Sequence, residues 1–157
     1  MTPTQRKNLT KLAAHLESLP RNYNHFDMAD FMWDEYGEVS DEQYVNYAKN
    51  TGKVTIRNCG AVACALGHGP GAGIPFRRCD LKKIGDGYLL DWPKYADQFA
   101  IQYSPNWDWM FSEWWTFIDN THRGAAARIR FLLAGREIPG NYVENNNVKR
   151  LYKEFLV

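Results

Sequence analysis

Residues 58–67 read Asn58-Cys59-Gly60-Ala61-Val62-Ala63-Cys64-Ala65-Leu66-Gly67 and are apolar on nearly every side. A helix without a polar face cannot lie on a surface, so the rest of the chain must enclose it. The chain has 157 residues, and a domain of that size buries about 68–70% of its unfolded surface. Aromatic residues make up 15% of it and the net charge is only +1, a balance foreign to disordered chains. No apolar run approaches the ~20 residues of a membrane span. The N-terminus lacks the apolar centre and small-residue cleavage site of an export signal. Three cysteines, Cys59, Cys64 and Cys79, are an odd number for a disulfide framework. The expectation is one globular cytoplasmic domain over residues 1–157, with reduced thiols and no membrane partner.

Around the buried segment the pattern is mostly helical. Thr2-Pro3-Thr4-Gln5 is a capping box with Pro at the first helical position. Behind it Leu9, Leu12, Ala13, Leu16 and Leu19 form one stripe ending before Pro20. Phe26-Asp27 with Phe31 reads as a staple and cap for a short helix ending near Gly37. Ser40 with Gln43 opens another, closing near Gly52, and Val54-Thr55-Ile56 alternates like a strand. The glycines after His68 demand a loop, for a tight path or a close approach. Residues 84–90 read as a turn entering a strand. Asp91 caps a helix carrying Tyr95, Ala96 and Phe99. The Trp-rich residues 107–117 fit strand or helix. Thr121 caps the clearest helix, with Ala126, Ile129, Leu132 and Leu133 inward and Gly135 as its stop. A last helix carries Val148, Leu151, Tyr152, Phe155 and Leu156. The predicted class is α+β: a helix-dominated single domain with a few short strands and a buried central helix starting near Cys59.

Three kinds of chemistry are compatible with these residues. A strand followed by Asn58-Cys59-Gly60 sets the Cys59 thiol at a helix start, where free amides and the dipole favour a thiolate. A papain-like thiol hydrolase would then need a base, for which His122 with Asp119 as its orienter is the candidate pair. The same helix start is an anion site, with Arg57, Arg77 and Arg78 as sources of charge-assisted bonds. Trp107, Trp109, Trp114 and Trp115 can stack on a flat ligand, or serve as core and interface anchors. A zinc site is not expected, because Cys59 and Cys64 would lie about 140° apart around a helix. The glycine loop lacks the strand and helix that a dinucleotide fingerprint requires. Near-zero net charge also opposes strong nucleic-acid binding. Within that balance, residues 27–42 carry seven carboxylates and no basic residue, a solvated face or a docking surface for a host protein.

The stretch from Cys59-Gly60 through Cys64 to Gly67-His68 resembles the Cys-Gly-x-x-Ala-Cys-x-x-Gly-His motif of a family of small phage and prophage proteins. In that family a Trp-rich segment precedes Asp-Asn-Thr and an Ala-rich helix, as Trp114-Trp115, Asp119-Asn120-Thr121 and Ala125-Ala126-Ala127 do here. The likeness covers about residues 55–135. It implies a phage-derived protein in a host cytoplasm, for which countering host defence is a sensible role, and carries over no catalytic residue. Where the family often has Pro after Asn-Thr, this chain has His122.

These readings combine into an expected non-catalytic module that sequesters an anionic, nucleotide-like small molecule without a cofactor. Arg57, Asn58, Cys59 and Gly60 would take its phosphate, with Arg77 and Arg78, and the tryptophans its base. A second copy of the chain is a further partner that aromatic interface anchors allow.

Overall fold

The computed structural model describes residues 1–28, 64–84, 87–144 and 147–157. The helices expected after Phe26 and Ser40, the strand at Val54-Thr55-Ile56, the start of the central helix near Cys59, and nearly all of the acidic block lie outside the described residues. So do Arg57, Asn58 and Gly60.

Helix α1 (Pro3–Ser18) starts on Thr2, whose hydroxyl accepts from the Gln5 amide while the Gln5 side chain accepts from the Thr2 amide. Leu9, Leu12, Ala13 and Leu16 are fully buried, so the predicted stripe is the core face. Leu19 ends the helix in extended conformation, as the residue before Pro20 must. After Arg78–Asp80, a single 3₁₀ turn, strands β1 (Leu81–Ile84) and β2 (Gly87–Leu90) pair antiparallel with Leu81 opposite Leu90 and Ile84 opposite Gly87. Helix α2 (Trp92–Ala96) begins on Asp91, and α3 (Pro105–Phe111) on Ser104, whose hydroxyl accepts from the Trp107 amide. Helix α4 (Trp115–Ile118) leads into α5 (His122–Leu133), which starts on Thr121 and ends before Gly135 at φ +74. The described residues are helix-dominated, with one two-stranded hairpin, and no described helix is long and apolar enough to cross a membrane.

Helices α1 and α5 make the most extensive pairing, closed at one edge by a bidentate Arg130–Glu17 ion pair with both N···O distances at 2.7 Å. Arg6 donates to the Leu133 carbonyl at 2.7 Å, which occupies an otherwise free acceptor at the end of α5. The buried residues of these elements join one core. At its centre Arg128 is fully buried, its guanidinium 4.0 Å above the Trp115 ring. Burial holds this arginine below its usual pKa, at about 10.

Two expectations are corrected. The described end of the central apolar segment is not helical: Ala65, Leu66 and Gly67 are buried, but in consecutive turns. Four glycines and a proline within residues 67–73 make a helix costly there. Gly69 also packs so closely that a β-carbon would meet the Tyr95 hydroxyl and the Phe99 ring. The C-terminal helix is instead two 3₁₀ turns, Val148–Arg150 and Lys153–Phe155, which still bury Val148 and Tyr152.

Candidate functional site: an aromatic pocket with two carboxylates

The Trp-rich segment is helical, and helix phase sorts its rings. Residues 107 and 109 are about 200° apart around α3, so they cannot share an environment. Trp109 is fully buried and donates through Nε1 to the Arg128 carbonyl at 3.0 Å. Trp115 is fully buried too, stacked on Tyr142 at 5.5 Å with its Nε1 on the Asp108 carbonyl. Trp107 lies on the opposite face beside Phe111, their ring centroids 4.9 Å apart. Both line a cavity of about 270 Å³, together with Trp114, Tyr103, Met28 and Cys64. Gln102, Asp108, Ser112 and Glu113 complete its described wall. Trp107 and Trp114 are therefore pocket residues, whereas Trp109 and Trp115 are core.

Two of the lining rings, Tyr103 and Trp114, are 78 and 55% exposed. Tyr103 is the one non-glycine residue with positive φ, at +58, among the described residues. An aromatic residue in that region costs on the order of 1–3 kcal/mol, and such strain concentrates at ligand sites. The pocket floor is better anchored. The Met28 amide donates to the Asn120 side-chain oxygen at 2.8 Å, and the Asn120 amide donates to Asp27 at 3.2 Å.

Arg77 and Arg78 lie elsewhere. Arg77 is bound to Asp80, which is fully buried and accepts from the Arg77 amide at 2.7 Å and from Nη2 at 2.7 Å. The Gln98 amide adds a bond at 3.0 Å. Hydrogen bonding to Asp80 raises the Arg77 pKa, so this guanidinium neutralises a core carboxylate. Arg78 is exposed, and neither arginine lines the pocket. Among the described lining residues the only charges are negative.

The candidate base and its orienter do not meet. His122 is 4% exposed, with Nδ1 2.8 Å from the Leu16 carbonyl and Nε2 3.1 Å from the Pro20 carbonyl. It ties the end of α1 to the start of α5. The Asp119 carboxylate accepts instead from Thr121 at 2.7 Å and Tyr152 at 2.8 Å, and rests where a β-carbon on Gly124 would sit. Neither residue is available to activate a thiol, and Cys59 lies outside the described residues.

The sequence reading missed that the four histidines gather around Tyr23 and Phe26. Tyr23 lies 5.6 Å from His25, 5.6 Å from His68 and 6.1 Å from His122. His15 is 5.6 Å from His68, and Phe26 stacks on His68 at 5.7 Å. His68 is fully buried, with no hydrogen bond of good geometry on either ring nitrogen and the His25 backbone nearby. Burial, with the charges of His15 and His122, pushes its pKa down to about 4. No three His, Cys, Asp or Glu side chains among the described residues are placed to hold a metal ion.

Comparison with protein families, with curated proteins and with solved structures finds no match to the chain.

Proposed function

We propose that the chain is a non-catalytic binding module that takes a nucleotide-like small molecule base-first into the pocket at Trp107 and Trp114. The observation that carries this reading is an aromatic-walled cavity rimmed by exposed rings. Its volume, about 270 Å³, lies just under the ~300–1,000 Å³ of sites for drug-sized ligands. That space is of the order needed for one ring system with its sugar. The phosphate stays outside, because the charged residues of the described lining, Asp108 and Glu113, are both acidic. Arg57, Asn58, Cys59 and Gly60 precede the pocket residue Cys64 by four to seven positions and are its proposed partners. The resemblance to phage and prophage proteins makes sequestration of a host nucleotide signal the role that fits such a module.

Thermal unfolding with mono-, di- and cyclic nucleotides tests this. A binder at a hundredfold excess over Kd adds about 2.7 kcal/mol, a rise of roughly 5–10 °C for a chain of this size. The ligand should be recovered intact. Trp114→Ala should cost about 1–3 kcal/mol of binding and leave the ligand-free Tm nearly unchanged, since Trp114 is 55% exposed. No shift across the panel contradicts the proposal, and a ligand returned cleaved replaces the module with an enzyme.

A further inference from the structure

We infer that the histidine cluster is an acid-sensitive latch beneath the pocket: a proton entering it frees residues 64–68 and withdraws Cys64 from the pocket floor while the rest of the fold stays formed. Faster escape of a bound ligand as the pH falls is the consequence, and that consequence rests on the nucleotide-like reading above; the latch itself does not.

Cys64 and His68 are tied together. The Cys64 carbonyl accepts from the His68 amide at 3.2 Å, both side chains are buried, and Phe26 stacks on the His68 ring. The titratable groups around that ring are His15 from α1, Tyr23 and His25 from the segment after it, His122 from α5, and Cys64 itself. The charges that act on it, those of His15 and His122, are positive when present. A proton on His68 therefore meets like charge as well as desolvation. Neither ring nitrogen has a well-formed acceptor for the N–H that protonation adds. The charged ring gains by reaching water, and its amide draws the Cys64 carbonyl with it.

Bonding also decides what stays in place. His122 faces the Leu16 and Pro20 carbonyls, and an imidazolium donates to both where a neutral ring donates to one. Acid therefore leaves the end of α1 bonded to the start of α5. The Met28 amide is held by Asn120. At the far end of the glycine loop the Tyr95 hydroxyl holds the Ile74 carbonyl at 2.5 Å, and Gly69 packs against the same ring. Displacement falls on residues 64–68, which lie in turns and belong to no described helix or strand.

Thiol exchange of the full chain with 4,4′-dithiodipyridine between pH 7.5 and pH 5, read at each cysteine by peptide mass spectrometry, tests the latch without any ligand. Each rate is divided by that of the urea-unfolded chain at the same pH, which removes the thiol's own titration. An imidazole that takes its proton near 6.5 when freed and near 4 when enclosed should raise opening at Cys64 about thirtyfold over this range. Cys79, already exposed, should keep a constant ratio. His68→Phe should hold the rise at Cys64 below threefold. Where that variant does not fold, His15→Gln, at a partly exposed position, should cut the rise at least twofold, and an unreduced rise would overturn the latch. So would Cys64 protection that ignores pH, or that falls equally in His68→Phe. Exposure of Cys64 only in step with global unfolding, followed by urea titration at each pH, would overturn it too. Any of these failures leaves the nucleotide-like reading standing, and a chain that binds no nucleotide leaves the latch standing.

Discussion

His68 shows how a single side chain ties packing to pH. Its imidazole is enclosed by Phe26, Tyr23 and His15, and the His25 backbone is the polar group that approaches it. An ordinary histidine takes a proton near pH 6.5, and this one near 4. The unfolded chain therefore binds the extra proton first, and stability falls as pH drops from about 6.5 to about 4. The size of that loss is on the order of 3 kcal/mol. His15, also held below its usual pKa by burial, acts in the same direction. His68→Phe keeps the stacking shape and removes the proton site. Denaturant unfolding at pH 7.5 and pH 4.5 should show the variant losing clearly less stability than the parent. An undiminished loss would place the acid sensitivity elsewhere. None of this was legible in the sequence, because the four histidines are dispersed from position 15 to position 122 and meet only through the fold.

At the level of elements, what could be read was what neighbouring residues decide. Helices α1 and α5 were legible because their caps and apolar spacing are local: Thr2 with Gln5, and Thr121 before the Ala-rich run. Only β2 of the hairpin was expected. Strand β1 carries Lys82 and Lys83 between Leu81 and Ile84, so it shows no alternation. The C-terminal segment had helical spacing but no cap bond to start it. Arg77 was expected as a ligand for phosphate because nothing in the sequence marks Asp80, three residues on, as buried. The pair fixes the turn at Arg78–Asp80 against Gln98 and the entry to β1. Breaking a buried pair from one side costs 3–5 kcal/mol. The Arg77 side chain is 49% exposed, which discounts that to roughly 1–3 kcal/mol. Urea unfolding of Arg77→Ala should show a loss of this size at pH 7, and a change below 0.5 kcal/mol would show that Asp80 is held by its backbone and Gln98 bonds alone.

Across the described residues, several arginines are committed to structure. Arg128 is buried on Trp115, Arg130 pairs with Glu17, Arg136 with Glu154, and Arg6 and Arg123 donate to backbone carbonyls. The described pocket is left with aromatic walls and negative charge. Half of this site was within reach of the sequence: residues 107, 111 and 114 recur at helical spacing, which separates Trp107 and Trp114 from Trp109. The strained Tyr103 and the floor formed by Met28 and Cys64 depend on contacts across the chain.

The indole N–H signals of the six tryptophans provide the most direct measurement of whether this pocket is the binding site. Each can be assigned by a single Trp→Phe variant and followed by NMR as a nucleoside is added. The account predicts saturable shifts for Trp107 and Trp114, with Trp109, bonded to the Arg128 carbonyl on the far side of α3, staying in place. Binding that moves Trp109 or Trp92 and leaves Trp107 and Trp114 unmoved would contradict it.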